Sequence, residues 1–300
     1  MTFFKNPVLS FLLVLLFRAP AAFSQDAPLF RIGVIADIQY GDIDPAGTRY
    51  YRNSLGKLEE CVAGLNREKV NFSVNLGDLV DRNPADLDAV LTRLKSLDQK
   101  VYNTTGNHDY VGRTDNKALY KELGMPGEYY SFRHDNWLFI MLNTNEIASY
   151  ANVEGTKKEK ELAAMMAAIG ERGSDNGKRW NGGISAKQMQ WLVKQLKKAE
   201  KKKVNVMLFS HHPLFPAGDY TALNDREILE TLASYSCVKG VISGHHHPGA
   251  FGTYKGIPCI TTEGMIETEN TNAYGVLDMY GDKFVLRGRG RTVTREITLR

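Results

Sequence analysis

Ile32-Gly33-Val34-Ile35-Ala36-Asp37-Ile38-Gln39 is a short apolar run that ends in two polar groups able to hold a metal ion. The same design recurs in Phe72-Ser73-Val74-Asn75-Leu76-Gly77-Asp78, in Val101-Tyr102-Asn103-Thr104-Thr105-Gly106-Asn107-His108-Asp109, in Val206-Met207-Leu208-Phe209-Ser210-His211-His212 and in Gly240-Val241-Ile242-Ser243-Gly244-His245-His246-His247. Apolar runs this short, closed by polar turn residues, read as buried strands. Ligands carried just beyond the carboxyl ends of several buried strands converge on one crevice. Six of the seven histidines lie in the last three runs. The recurrence points to a metal centre, and a metal centre in a crevice points to an enzyme.

Outward from these runs, strand-like and helical patterns alternate. Tyr50 to Arg67 carries Tyr51, Leu55, Leu58, Val62 and Leu65 at helical spacing. Further helices are expected from about Asp86 to Leu97, with Pro84 near the start, and near residues 114–123, 157–171, 185–200 and 225–235. Tyr129 to Phe132 and Trp137 to Leu142 form a hairpin pattern around His134-Asp135-Asn136. Late strands are expected at 257–262, 273–279 and 283–289, with Gly281-Asp282 as a turn. The pattern is that of one α/β domain with antiparallel pairing at its edges. Residues 143–184, rich in Asn, Gly and charge, form the least regular segment. We expect it to be an insertion on the substrate side, since such loops often carry ligand contacts.

The chain opens with Lys5, the apolar run Val8 to Phe17 and the small-residue exit Ala21-Ala22-Phe23-Ser24. That run is too short to span a bilayer and fits a cleavable secretory signal over residues 1–24. The expectation is therefore an exported protein, periplasmic or secreted, with one domain over residues 25–300. The leader holds Lys5 and Arg18 and no acid, so its removal takes the net charge from +4 to +2. So weak a charge is too little to argue for nucleic-acid or membrane partners, and none is expected. The lysine-rich stretches at 157–160 and 197–203 read as solvated helix faces. Cys61, Cys237 and Cys259 make neither a CxxC pair nor a dense framework; an oxidising compartment allows a single disulfide, and buried thiols are the simpler reading.

Asp37 and Gln39 are two residues apart, as are His245 and His247, so in extended backbone each pair presents both side chains to one side. Gly77 before Asp78 and Gly106 before Asn107 free the backbone for sharp turns. Two carboxylates, two amides and three imidazoles exceed the needs of one ion. Two ions about 3.5–4 Å apart are the natural count. Mixed oxygen and nitrogen donors without thiolate favour Mn, Fe or Zn.

Asp37-Ile38-Gln39, Gly77-Asp78-Leu79-Val80-Asp81, Gly106-Asn107-His108-Asp109, His211 and Gly244-His245-His246-His247 together resemble the motif set of the calcineurin-like metallophosphoesterases. The resemblance implies a four-layer α/β/β/α sandwich of two mixed sheets with a dimetal site at one edge. It implies Asp37, Gln39, Asp78 and His247 on metal one, and Asp78, Asn107, His211 and His245 on metal two. A hydroxide bridging the ions would be the nucleophile. His108 would protonate the leaving oxygen, and Asp81 and Asp109 would orient ligands. Gln39 stands where most of the family has His. An amide oxygen is a harder donor than imidazole and shifts preference toward Mn or Mg.

That departure, with Arg49-Tyr50-Tyr51-Arg52-Asn53-Ser54-Leu55, Asn181-Gly182-Gly183-Ile184, Thr262-Glu263-Gly264-Met265-Ile266-Glu267 and Gly288-Arg289-Gly290-Arg291, is similar to the manganese-dependent ADP-ribose/CDP-alcohol diphosphatases. The implied activity is hydrolysis of a nucleotide-linked phosphoanhydride, with a broader phosphodiesterase or phosphomonoesterase as the alternative. A non-catalytic scaffold on this fold would have gaps among the ligands, and none is present. Arg49 and Arg52 are candidates to hold a substrate phosphate or to pair with the nearby helix. Tyr40, Tyr110, Trp180, Phe215 and Tyr220 flank the motifs and are candidates to stack a base. Arg289 and Arg291 read as structural pairs, and His134 as a structural turn residue.

Overall fold

The computed structural model describes residues 1–3 and 27–299, so the expected leader lies almost wholly outside the described residues. Twelve strands and six α-helices follow in order: β1 (Phe30–Ile35), α1 (Ser54–Glu68), β2 (Phe72–Asn75), α2 (Leu87–Leu94), β3 (Val101–Asn103), α3 (Asn116–Glu122), β4 (Tyr130–His134), β5 (Trp137–Met141), α4 (Lys157–Arg172), α5 (Ala186–Lys201), β6 (Asn205–Ser210), α6 (Asp225–Ala233), β7 (Val238–Ser243), β8 (Ala250–Tyr254), β9 (Ile257–Thr261), β10 (Ala273–Met279), β11 (Lys283–Gly290) and β12 (Arg295–Thr298). They make two six-stranded sheets, β12-β11-β10-β1-β2-β3 and β4-β5-β6-β7-β9-β8. Each is mixed. β1, β2 and β3 run parallel in the first, and β5, β6, β7 and β9 in the second, with antiparallel strands completing the edges.

Side-chain alternation along the second sheet separates the layers. Leu138, Ile140, Val206, Leu208 and Val241 pack with Leu192 and Leu196 of α5 and Ile228 and Leu232 of α6. The residues between them, Phe139, Met141, Met207, Phe209 and Ile242, belong to the cluster shared with the first sheet. A period of two thus sends one row to the helices and the next to the facing sheet. On the first sheet, a Cβ built on Gly33 would lie 2.8 Å from Leu65 of α1, so that helix crosses β1 where the strand has no side chain. Helix ends follow local chemistry. Ser185 Oγ accepts from the Gln188 amide to start α5, and Gly173, at φ +60°, ends α4.

Four details differ from the sequence expectations. α1 begins at Ser54 rather than Tyr50, because Arg49 pairs as a bridge with Glu267 and the Tyr50 amide bonds to Ile266 O. α2 ends at Leu94 rather than Leu97. β8 and β12 lack a recognisable apolar run: β8 is broken by Gly252, and β12 carries only Ile297. All three cysteines are buried and free. No helix among the described residues is long and apolar enough to cross a membrane.

Candidate metal centre

The parallel strands of both sheets end at one rim, and the candidate ligands stand on the turns that follow. Asp37 and Gln39 follow β1, Asp78 follows β2, Asn107 and His108 follow β3, His211 follows β6, and His245 and His247 follow β7. Asp78 Oδ2 is the hub. It lies 2.9 Å from Gln39 Nε2 and 3.5 Å from His211 Nε2. His211 Nε2 lies 3.1 Å from Asn107 Oδ1 and 3.1 Å from His245 Nδ1. His247 Nε2 lies 3.7 Å from Asp37 Oδ1. The structure therefore brings all seven ligand candidates together, six of them buried.

Hydrogen bonds fix which atom of each ring is free. His211 Nδ1 donates to Leu76 O at 2.8 Å, and His247 Nδ1 donates to Glu267 Oε1 at 2.7 Å. His245 Nε2 donates to Asn181 Oδ1 at 3.1 Å. The remaining nitrogens keep lone pairs that face one another and the oxygens of Asp37, Asp78 and Asn107. Burial holds all three imidazoles below the usual histidine range, so none is a cation offsetting those carboxylates. Burial and the charge of Asp78 push the Asp37 carboxyl well up. Gln39 Oε1 is buried with no partner among the described residues. Converging lone pairs, an orphaned amide oxygen and crowded carboxylates all call for positive charge. The donor set fits divalent ions, with Asp78 placed to be shared between two.

The backbone is strained where these ligands sit. Asp37, Gln39, Asp78 and His245 have φ of 53°, 43°, 55° and 68°. Each left-handed non-glycine residue costs roughly 1–2 kcal/mol. Neighbouring bonds hold them there: Asp37 N to Gly77 O, Gln39 N to Asp78 O, and His245 N to the Asp37 carboxylate. Gly77 (φ +98°) and Gly106 meet so closely that a Cβ on Gly77 would lie 2.3 Å from Gly106 N. This contact seats Asp78 beside Asn107.

His108 Nδ1 donates to Asp81 O at 2.7 Å, with Asp81 Oδ1 at 3.3 Å, and the ring lines the cavity. Asp81 thus orients His108. Asp109 accepts from the amides of Gly106, Asp78, Leu79 and Val80 at 2.8–3.3 Å, tying together the two turns that carry Asp78 and Asn107. Burial and the Asp78 charge push its carboxyl up to about 7 against those amides. His212 lies among the ligand histidines, yet both its nitrogens are engaged, Nδ1 with Thr144 Oγ1 and Nε2 with Trp180 O. Burial and His211 push it down to about 3, so it is a neutral brace.

A cavity of about 280 Å³ opens over the cluster, with Arg49, Trp180 and Tyr220 in its wall beside the ligands and His108. Arg49 also faces Glu267 at 3.7 Å. Arg52 does not line this cavity. Asp42 and Asp44, in the loop before α1, each hold its guanidinium at 2.6 Å, so it neither faces the cavity nor pairs with the helix, and both expectations for it are corrected. Tyr110 is buried in a hydroxyl network with Thr105 and Tyr120, and Phe215 packs on Tyr254. Neither reaches the cavity wall, nor does Tyr40. Segment 143–184 contributes Trp180 to the wall and Asn181 to His245.

Two residues with a part in the centre were not singled out from the sequence. Glu267 completes a carboxylate–histidine pair behind His247, and that hydrogen bond holds Glu267 down at about 2. Asn181 fixes His245 while its Nδ2 spans Asn176 O and Asp219 O. Both lie inside stretches quoted for the resemblance, but their partners are distant in sequence.

Residues 30–249 match the family model of the calcineurin-like phosphoesterases. A manganese-dependent ADP-ribose/CDP-alcohol diphosphatase of Danio rerio is 29% identical over 90% of this chain and 98% of its own length. The human protein of that name is also 29% identical, over 92% of this chain and 95% of its own. Among solved structures, a dimetal phosphatase from Danio rerio aligns with a TM-score of 0.81 at 28% identity, covering 91% of this chain and all of that one. A purple acid phosphatase from yellow lupin shares the fold at 12% identity, with a TM-score of 0.57. Similarity along the whole described domain, with the ligand cage intact, leads to one conclusion: the chain belongs to the calcineurin-like phosphoesterase family and is a metal-dependent hydrolase.

Proposed function

We propose that the chain hydrolyses the phosphoanhydride of a nucleoside-diphosphate-linked compound, of the ADP-ribose or CDP-alcohol type, with Mn as its preferred ion. The observation that carries this reading is the cavity wall, which joins a guanidinium, Arg49, to an aromatic pair, Trp180 and Tyr220, beside the ligand cage. The two rings lie 6.2 Å apart, tilted by 34°. A diphosphate benefits from a forked cation beyond the ions, and a nucleobase from an aromatic face. A simple phosphomonoester uses neither. The names of the relatives at 29% identity support the same substrate class.

Asp37, Gln39, Asp78 and His247 would hold one ion, and Asp78, Asn107, His211 and His245 the other. Bound ions of this kind supply an acidified water and neutralise phosphoryl oxygens. The chain's own residues do the rest. His108, its Nδ1 committed to Asp81 O, offers Nε2 to hand a proton to the departing phosphate oxygen. Arg49 steadies the phosphate that leaves. The test is hydrolysis of ADP-ribose, CDP-choline, a bis-aryl phosphate and an aryl monophosphate with Mn. The reading expects the two nucleotides to give the highest kcat/KM; a strong preference for the monoester refutes it.

A further inference from the structure

The segment Gly264–Thr268 has no regular secondary structure, yet its backbone is almost fully engaged. On one side it grips the metal centre. The Gly264 amide donates to His247 O, Met265 N to Ala36 O, Ile266 N to Asp37 O and Thr268 N to Thr48 O, at 2.8–3.1 Å. Its Glu267 carboxylate orients the His247 ring. Asp37 and His247, both assigned to metal one, therefore lean on the same five-residue brace.

On the other side, all five carbonyls have partners. Lys57 Nζ, from α1, donates to Met265 O and Glu267 O at 2.9 Å and to Thr268 O at 2.5 Å. Arg291 Nη2 donates to Gly264 O, and the Tyr50 amide takes Ile266 O. An ammonium has three donors, and here each meets a carbonyl. Lys57 is 5% exposed and has no carboxylate within ion-pair distance among the described residues. Burying an unpaired ammonium costs several kcal/mol, whereas Met would fill the same space without that cost. The charge is retained where it turns carbonyls outward and amides toward the ligands.

We propose that Lys57, seconded by Arg291, is a positioning residue for metal one: by holding the carbonyls of Gly264–Thr268 it sets the amides and the Glu267 carboxylate that fix Asp37 and His247. The inference rests on the two-ion reading above. Of the residues assigned to metal two, Asp78, Asn107, His211 and His245, none bonds to this brace directly, and only His245 is linked to it, through its amide on the Asp37 carboxylate, so the effect falls first on metal one.

The experiment uses the full chain, stripped of metal and titrated with Mn. Bound Mn is measured by equilibrium dialysis with elemental analysis, and the spectrum by electron paramagnetic resonance. Wild type takes two ions with the signature of a coupled pair. Lys57→Met, with circular dichroism unchanged, weakens one ion by about 10–100-fold, the range for losing an outer partner. The other ion keeps its wild-type affinity and gives the spectrum of isolated Mn. Should Lys57→Met fail to fold, Arg291→Met carries the same test with a smaller shift in the same direction. Two ions held at wild-type affinity, or both weakened in parallel, overturn the inference alone. Fewer than two ions in wild type overturn the two-ion reading, and the inference with it.

Discussion

Replacing Gly77 with Ala adds one methyl group where two turns of the metal centre meet backbone to backbone. Its Cβ would stand 2.3 Å from Gly106 N and 2.5 Å from Thr105 C, short of ordinary contact by about 1 Å. Neither neighbour is a flexible side-chain tip, so backbone must move. Gly77 also has φ +98°, where a Cβ costs roughly 1–2 kcal/mol. Overpacking adds about 1–3 kcal/mol. The sum is a destabilisation of about 2–5 kcal/mol, measured by urea unfolding of the metal-stripped protein. The movement separates Asp78 from Asn107, so Mn affinity falls as well. The control is Gly56→Ala on the exposed face of α1, where an added Cβ meets nothing within 4 Å. There the same methyl group should stabilise, by up to about 1 kcal/mol, through helix propensity. A Gly77→Ala protein within about 0.5 kcal/mol of wild type would refute the steric reasoning, since that is the scatter of neutral surface changes.

His108→Ala should keep both ions by elemental analysis while turnover drops by roughly 100-fold or more; unchanged turnover removes it from proton transfer. Gln39→His replaces an amide oxygen with an imidazole and should move metal competition from Mn toward Zn by about tenfold. Glu68 is held by Arg287 and Arg289, which pull its carboxyl down to about 2. Its stabilisation is therefore full above its unfolded value near 4.5 and is lost as pH falls toward 2. The stability gap between wild type and Glu68→Gln, measured without metal, should be flat near neutrality and close over that acid window. If residues 1–24 are a cleaved signal, N-terminal sequencing of the protein from its own cells should begin at Gln25; a chain retaining Met1 contradicts the signal reading.

The candidate ligand cluster was legible because strand-end placement compresses each group into two or three neighbouring residues, and motif order carries the rest. The core followed from apolar periodicity, which is a local property. What stayed hidden depends on partners far apart in the chain. Glu267 meets His247, Asn181 meets His245, and Lys57 on the first helix meets carbonyls near residue 266. Nothing about Lys57 distinguishes it locally from the solvated lysines of α5. Arg52 illustrates the converse: an arginine beside a motif suggested phosphate, yet Asp42 and Asp44 lie within reach and take it. β8 and β12 escaped because edge strands need few apolar residues.

β1 lies between β2 and β10, and β10 is separated from it by the entire second sheet. For a chain made from its N-terminus, this order has a consequence in time. β1, β2 and β3, with their share of the ligands, emerge first but keep an open edge until Ala273–Met279 arrives to pair with Phe30–Val34. The second sheet, by contrast, is contiguous from Tyr130 to Thr261 and can close on its own. A nascent chain cut short before β10 would hold most of the chemistry and present a naked apolar strand, ready to pair with any neighbour. Completion of the first sheet is thus tied to β10, which is made only after every candidate ligand has emerged.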